Sequence, residues 1–265
     1  MAIKKYAFLA IALLTSAVKA DEDSCYKFYV GGDLGMGIFR INHPSFSSSL
    51  TDTDGGEIVN DFPDHNQSYS NSAAAFIGGG RIGLAYTGSE CWYAAIEGNI
   101  HSASSTSSFK IGRYFHYVDG EDIDEYVAYF KTATDRTKYI AGINAHLGYK
   151  LTEEAVFYGI IGAKYLNGNL FQNFQFEENN DEAYFTDTIV CNRYNTWGWT
   201  AGLGILVNSW CNWDLRLETL YAKFGNRCVS SNVNFDTDHD NRNGLVTYQN
   251  NPSLFYGVVS LAYNF

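Results

Sequence analysis

Beyond its first twenty residues the chain contains no long apolar run. A helix needs about 20 consecutive apolar residues to cross the roughly 30 Å hydrocarbon layer of a bilayer, so a helical membrane protein is excluded. Basic residues are scarce, 18 Lys and Arg against 29 Asp and Glu, and the formal net charge is −11 over 265 residues. Nucleic-acid binding draws on clusters of Lys and Arg that neutralise phosphates, and this chain carries none. Proline is almost missing, with 3 residues. The single apolar run, Tyr6 to Leu14, is too short to span; it follows Lys4 and Lys5 and leads into Val18, Lys19 and Ala20. That order of positive, apolar and small is a secretory signal, with cleavage expected after Ala20. Residues 1–20 then read as signal peptide and 21–265 as one domain.

What the chain has in abundance is tyrosine (20), phenylalanine (18) and glycine (25), the composition of strands with aromatic belts and small inward residues. Eight segments show period-two alternation, the mark of a strand that meets two different environments. In the first, Phe28, Val30, Leu34, Met36 and Ile38 alternate with Tyr29, Gly31, Asp33, Gly35 and Gly37. In the second, Phe76, Ile82, Leu84 and Tyr86 oppose Gly79, Arg81 and Gly83. Later segments place Glu97, Asn99 and His101, then Lys138, Asn144 and His146, then Tyr158 and Lys164 on the polar face. The seventh puts Asp214, Arg216 and Glu218 opposite Trp213, Leu215, Leu217 and Tyr221.

The connections alternate between short and long. Thr87 to Glu90, Thr152 to Glu154 and Asn208 to Asn212 read as tight turns, and between them lie long polar segments near 42–72, 104–135, 167–195 and 226–251. Polar loops of that length count against a compact soluble domain and fit a membrane barrel with short periplasmic turns and long external loops. Closure is required, because each unpaired amide or carbonyl in lipid costs several kcal/mol. The expected architecture is all-β: a closed antiparallel transmembrane β-barrel of eight strands, whose lumen is narrow enough for side chains to fill.

The last strand ends in LAYNF, with Val259, Leu261, Tyr263 and Phe265 at alternate positions. Together with the signal peptide it resembles the small outer-membrane barrels of the outer-membrane-protein-A and opacity-protein type. The resemblance implies location in the bacterial outer membrane, contact with its lipid and lipopolysaccharide, and recognition of those four residues by the barrel assembly machinery. It covers the mature chain as architecture and does not choose among adhesion, structural and immune-evasion roles.

Six charges are expected inside the barrel: Asp33, Arg81, Glu97, Lys138, Arg216 and Glu218. Charged rings can line an ion path in wide pores; in a narrow barrel they are expected to pair and plug it. For catalysis the candidates are Asp236, Asp238, His239 and Asp240 in the last long segment, and His101 beside Ser102. Adjacent strand residues point to opposite faces, so the second pair cannot act as base and nucleophile. The Asp236, Asp238, Asp240 run and Asp52 with Asp54 offer oxygen ligands at alternate positions, but neither completes a calcium loop. No catalytic, cofactor or metal site is assigned.

The acidic excess is concentrated in the long segments; 42–72 has five acids and no Lys or Arg. Such a crown can steer a basic partner, keep the surface solvated, or bridge to lipopolysaccharide through divalent cations. Among five cysteines, Cys191 and Cys228 are the expected disulfide, since Cys25, Cys91 and Cys211 fall at the opposite end and the bond spans only about 4.4–6.8 Å between Cα atoms. The functional expectation is surface interaction, including adhesion to an extracellular ligand or host surface, with a polar plugged lumen and no enzyme activity. A porin-like channel is the alternative, and a hydrolase sited in the loops the third.

Overall fold

The computed structural model describes residues 26–52, 71–88, 91–110, 116–119, 122–178, 186–210, 212–236 and 241–265. The signal segment, Cys25, Asp54, Cys211, Asp238, His239 and Asp240 lie outside them. All regular structure among the described residues is strand: β1 Tyr26–Asp52, β2 Asn71–Thr87, β3 Trp92–Lys110, β4 His116–Asp119, β5 Asp122–Lys150, β6 Ala155–Glu178, β7 Thr186–Trp210, β8 Trp213–Phe224, β9 Arg227–Asp236 and β10 Asn241–Asn264.

Eight of these form the wall in the order β1, β2, β3, β5, β6, β7, β8, β10, and β10 pairs back onto β1 to close it. Every pairing is antiparallel. The seam runs from Tyr29 opposite Asn264 to Asp52 opposite Arg242, and the Phe265 amide donates to the Phe28 carbonyl at 2.8 Å. The short β4 and β9 are additions at the far end, paired with β5 and β10.

The outward side chains explain the closure. Leu34, Met36, Ile96, Ile143, Ile161, Trp197 and Leu203 are each more than half exposed. An apolar surface so continuous cannot face water, and it reproduces the lipid-facing band of a membrane barrel. On each wall strand the band occupies roughly 9–11 residues, from Val30 to Ile38 on β1 and from Tyr139 to Tyr149 on β5, the length a tilted strand needs to cross the hydrocarbon. Aromatic rings mark both edges. On the side of the short turns, Tyr26 packs on Tyr86, Trp92 on Tyr149, and Trp213 on Tyr263, with centroids 4.9, 6.0 and 5.2 Å apart. At the other edge Tyr165 packs on Trp197 and Trp199 on Tyr221, at 5.1 and 5.7 Å. Trp and Tyr sit there because an amphipathic ring suits a boundary that is apolar on one side and wet on the other.

One sequence expectation changes here. Among the described residues, the segments expected as long polar loops are largely strand: β5 runs 29 residues and β1 27, far more than a membrane crossing requires. Outside the bilayer both faces of a strand can be polar, so the alternation that reveals strands inside the lipid vanishes there. Register irregularities fall where the wall leaves the apolar band, between Asn42 and Ser45, Ser102 and Ser105, and Thr137 and Tyr139. Bulges are common at barrel rims because the extra residue bends the strand and increases its twist.

Candidate functional site in the barrel interior

Arg81 stands at the centre of the lumen. From β2 it donates through Nε to Asp33 Oδ1 at 2.6 Å, through Nη1 to Glu97 Oε2 at 3.0 Å, and through both terminal nitrogens to Glu218 at 2.9 and 3.0 Å. Glu218 lies on β8, so this guanidinium spans the interior from wall to wall. Arg216 approaches Glu97 at 3.4 Å and Asp214 at 3.7 Å and lies over the Tyr29 ring at 3.8 Å from its centroid.

Uncharged and basic neighbours complete the network. The Tyr29 hydroxyl donates to Glu97 at 3.1 Å and the Tyr158 hydroxyl to Glu218 at 2.7 Å. Asn99 donates to Glu97 at 3.1 Å and accepts from Lys164 Nζ at 2.6 Å. His101 Nε2 lies 2.6 Å from Asp33 Oδ2, and His146 is stacked on Tyr158, centroids 5.0 Å apart. All of these side chains are buried.

Glycine makes room for them. A Cβ at Gly83 would collide with the Tyr29 ring, and one at Gly204 with the Tyr158 ring. Bare backbone on one strand thus lets a large side chain from elsewhere lie flat against the wall. The alternation of glycine with polar residues along β1 and β2 is the sequence trace of this packing.

Above and below the charged layer the lumen is mostly apolar, with Ser105, Thr137, Thr196, Arg227 and Ser253 buried among the apolar residues toward the outer rim. Toward the outer rim Phe39, Ile41, Ile77, Ile140, Leu166, Leu170, Phe224 and Leu254 are buried against one another; toward the turn end Ala85, Ala95, Val156, Leu206 and Ala262 are. The buried charges other than Arg227 thus gather in a middle layer, because the strands continue beyond the membrane and enclose a largely apolar core there.

Asp33, Arg81, Glu97, Arg216 and Glu218 are all buried inside. Lys138 is not: it is exposed at the irregularity between Thr137 and Tyr139, where one extra residue breaks the alternation that would turn it inward. The interior lysine is Lys164, fully buried, and Asp214, also buried, joins it. His101 faces the lumen and Ser102 the outside. Cys191 and Cys228 are free and exposed. Their partners in register are Phe171 on β6 and Gln249 on β10, not each other, and a disulfide needs Cβ atoms about 3.8 Å apart. On the final strand Val259, Leu261 and Phe265 are exposed to lipid, with Tyr263 partly covered by Trp213 and Phe265.

Even strand number, short turns at one end, a closed seam and an apolar band between aromatic rings decide the architecture. This is an outer-membrane type β-barrel. No protein-family model matches the sequence, and no curated protein does either. Solved structures similar to it include Ail, the attachment invasion locus protein of Yersinia pestis, at 11% identity over 84% of this chain and 98% of that one, TM-score 0.29. The outer membrane protease OmpT from Escherichia coli is 9% identical over 91% of this chain and 96% of that one, TM-score 0.42. The outer membrane protein OprG from Pseudomonas aeruginosa is 12% identical over 91% and 97%, TM-score 0.36. Likeness this distant leaves the function to be argued from the geometry of the barrel itself.

Proposed function

We propose that this barrel is an outer-membrane surface protein whose work is done by the wall standing outside the bilayer, through binding to an extracellular ligand or host surface. One observation carries the reading: the lumen is filled across its width by a buried, hydrogen-bonded charged layer between two mostly apolar ones, while the strands continue far past the membrane. Asp122 to Lys138 of β5 lies beyond the band, which at about 3.3 Å per residue and a tilt near 45° raises that wall about 40 Å above it. A chain that transported solutes would keep its interior open. Here the interior is used for stability and the exterior is displayed. Catalysis forms no part of this reading.

The test joins two measurements on the exported protein. Cells expressing it should adhere to cultured epithelial monolayers, and replacing residues 167–195 by a short turn should abolish adherence while the barrel still shows its heat-modifiable folded band. In planar bilayers the purified protein should give no steady ion-selective steps. Unchanged adherence after the replacement would overturn the interaction reading, and large steady conductance would favour the porin-like channel.

A further inference from the structure

Glu97, His146 and Glu218 project from β3, β5 and β8 to one point in the lumen, each offering a ligand atom within 4.8 Å of the other two, all buried. His146 is the unusual member. Its side chain is 3% exposed, yet neither Nδ1 nor Nε2 has a hydrogen-bond partner. A buried polar atom left unsatisfied is destabilising, and an imidazole normally gives its proton to something. Stacking on Tyr158, with planes 13° apart, fixes the ring while one of its nitrogens lies within 4.8 Å of an oxygen of each carboxylate without a hydrogen bond to either.

We infer that this gap is a metal site for a first-row divalent transition ion, bound by one His146 nitrogen and one oxygen each from Glu97 and Glu218. An imidazole with two carboxylates is a donor set suited to zinc, cobalt, nickel or manganese, and poorly suited to calcium or magnesium, which prefer oxygen alone. Ligand atoms around such an ion lie about 3–4 Å apart given bonds near 2.1 Å, so small side-chain movements close the site.

The carboxylates retain capacity for it. Glu97 Oε2 accepts from Arg81, Arg216 and Tyr29, but Oε1 accepts only from Asn99. Glu218 Oε1 accepts from Arg81 and Tyr158, and Oε2 only from Arg81. Each carboxylate therefore has one lightly used oxygen. Charge favours the ion as well: among the described residues of this layer the buried carboxylates of Asp33, Glu97, Asp214 and Glu218 outnumber the basic side chains of Arg81, Lys164 and Arg216, with His101 set against Asp33. Because the three side chains are buried among packed neighbours, the ion enters while the barrel folds.

The test refolds the full mature chain in detergent with Co2+, removes free metal, and measures bound cobalt and its visible absorption. One ion per chain is expected, with the absorption of nitrogen and oxygen coordination. The substitution His146→Phe, which preserves the stack on Tyr158, should abolish both. Substituting Asp238→Asn and His239→Gln in the outer acidic segment should leave them unchanged. Should His146→Phe fail to give the folded band, paramagnetic broadening in the wild-type barrel locates the ion: amide signals of Glu97, His146 and Glu218 should disappear. Absence of retained cobalt, retention unaffected by His146→Phe, or broadening confined to 236–242 would each overturn the assignment.

Discussion

Replacing Arg81 by Met should be the most damaging single change in the lumen. The guanidinium makes four hydrogen bonds to three carboxylates, at 2.6 to 3.0 Å, and the partner side chains are at most 2% exposed. The loss is uneven. Asp33 keeps His101, and Glu97 keeps Arg216, Tyr29 and Asn99. Glu218 keeps only Tyr158. Removing one member of a buried pair typically costs about 3–5 kcal/mol, since the remaining charge stays buried without compensation. We expect Arg81→Met to fall in that range, and Glu218→Gln in the same chain to return about 1–2 kcal/mol by removing the least compensated of the three buried charges. Equilibrium unfolding in urea from lipid vesicles, followed by the fluorescence of the lipid-facing Trp92, Trp197, Trp199 and Trp213, measures both. A cost below about 1 kcal/mol for Arg81→Met, or simple additivity of the two substitutions, would show that the network does not carry the central layer.

Four further outcomes are expected. Lys138→Ala should change stability by no more than about 0.5 kcal/mol, as for exposed positions generally, whereas Lys164→Ala should cost about 1–3 kcal/mol by opening space over Gly142 and stranding Asn99; the same urea titrations separate them. Gly83→Leu should prevent refolding to the heat-modifiable band, because the side chain would occupy the place of the Tyr29 ring. Arg81→Ala should still give no steady conductance in planar bilayers, since Phe39, Ile77, Ile140 and Leu170, from β1, β2, β5 and β6, stay buried in the lumen above it; opening should require smaller residues there too. Removing Phe265 should sharply lower the amount of barrel assembled in cells while affecting refolding in detergent far less, as read by the folded band in each setting.

Much of the wall was legible in the sequence because lipid imposes a binary choice at each residue. Where one side meets hydrocarbon, Val30, Leu34, Met36 and Ile38 declare their face, and Asp33 and Arg81 declare the other. The rule fails where its cause ends. Beyond the rim both faces of β5 and β6 can be polar, so those strands resembled loops. Continuing the alternation past Thr137 turns Lys138 inward, and the irregularity there breaks it. Strand by strand reading also cannot show who meets whom across a lumen: Arg81 and Glu218 are 137 residues apart, and their meeting depends on the tilt and stagger of the closed wall. The same holds for Glu97, His146 and Glu218, each visible as an inward residue and none visible as part of a triad. Cysteine spacing suffered likewise, since Cys191 and Cys228 share an end of the barrel without sharing a register.

The apolar layer at the outer rim bears on how this surface can change over time. Inward positions such as Ala103, Tyr194 and Val229 hold the wall together, while their immediate neighbours Ser102, Ser104, Arg193, Asn195, Cys228 and Ser230 are exposed and contribute little to that core. Every second residue is thereby released from the demands of folding. Substitutions at the outward positions should each alter stability by only a few tenths of a kcal/mol, so the displayed face can drift in shape and charge while the scaffold beneath keeps its form.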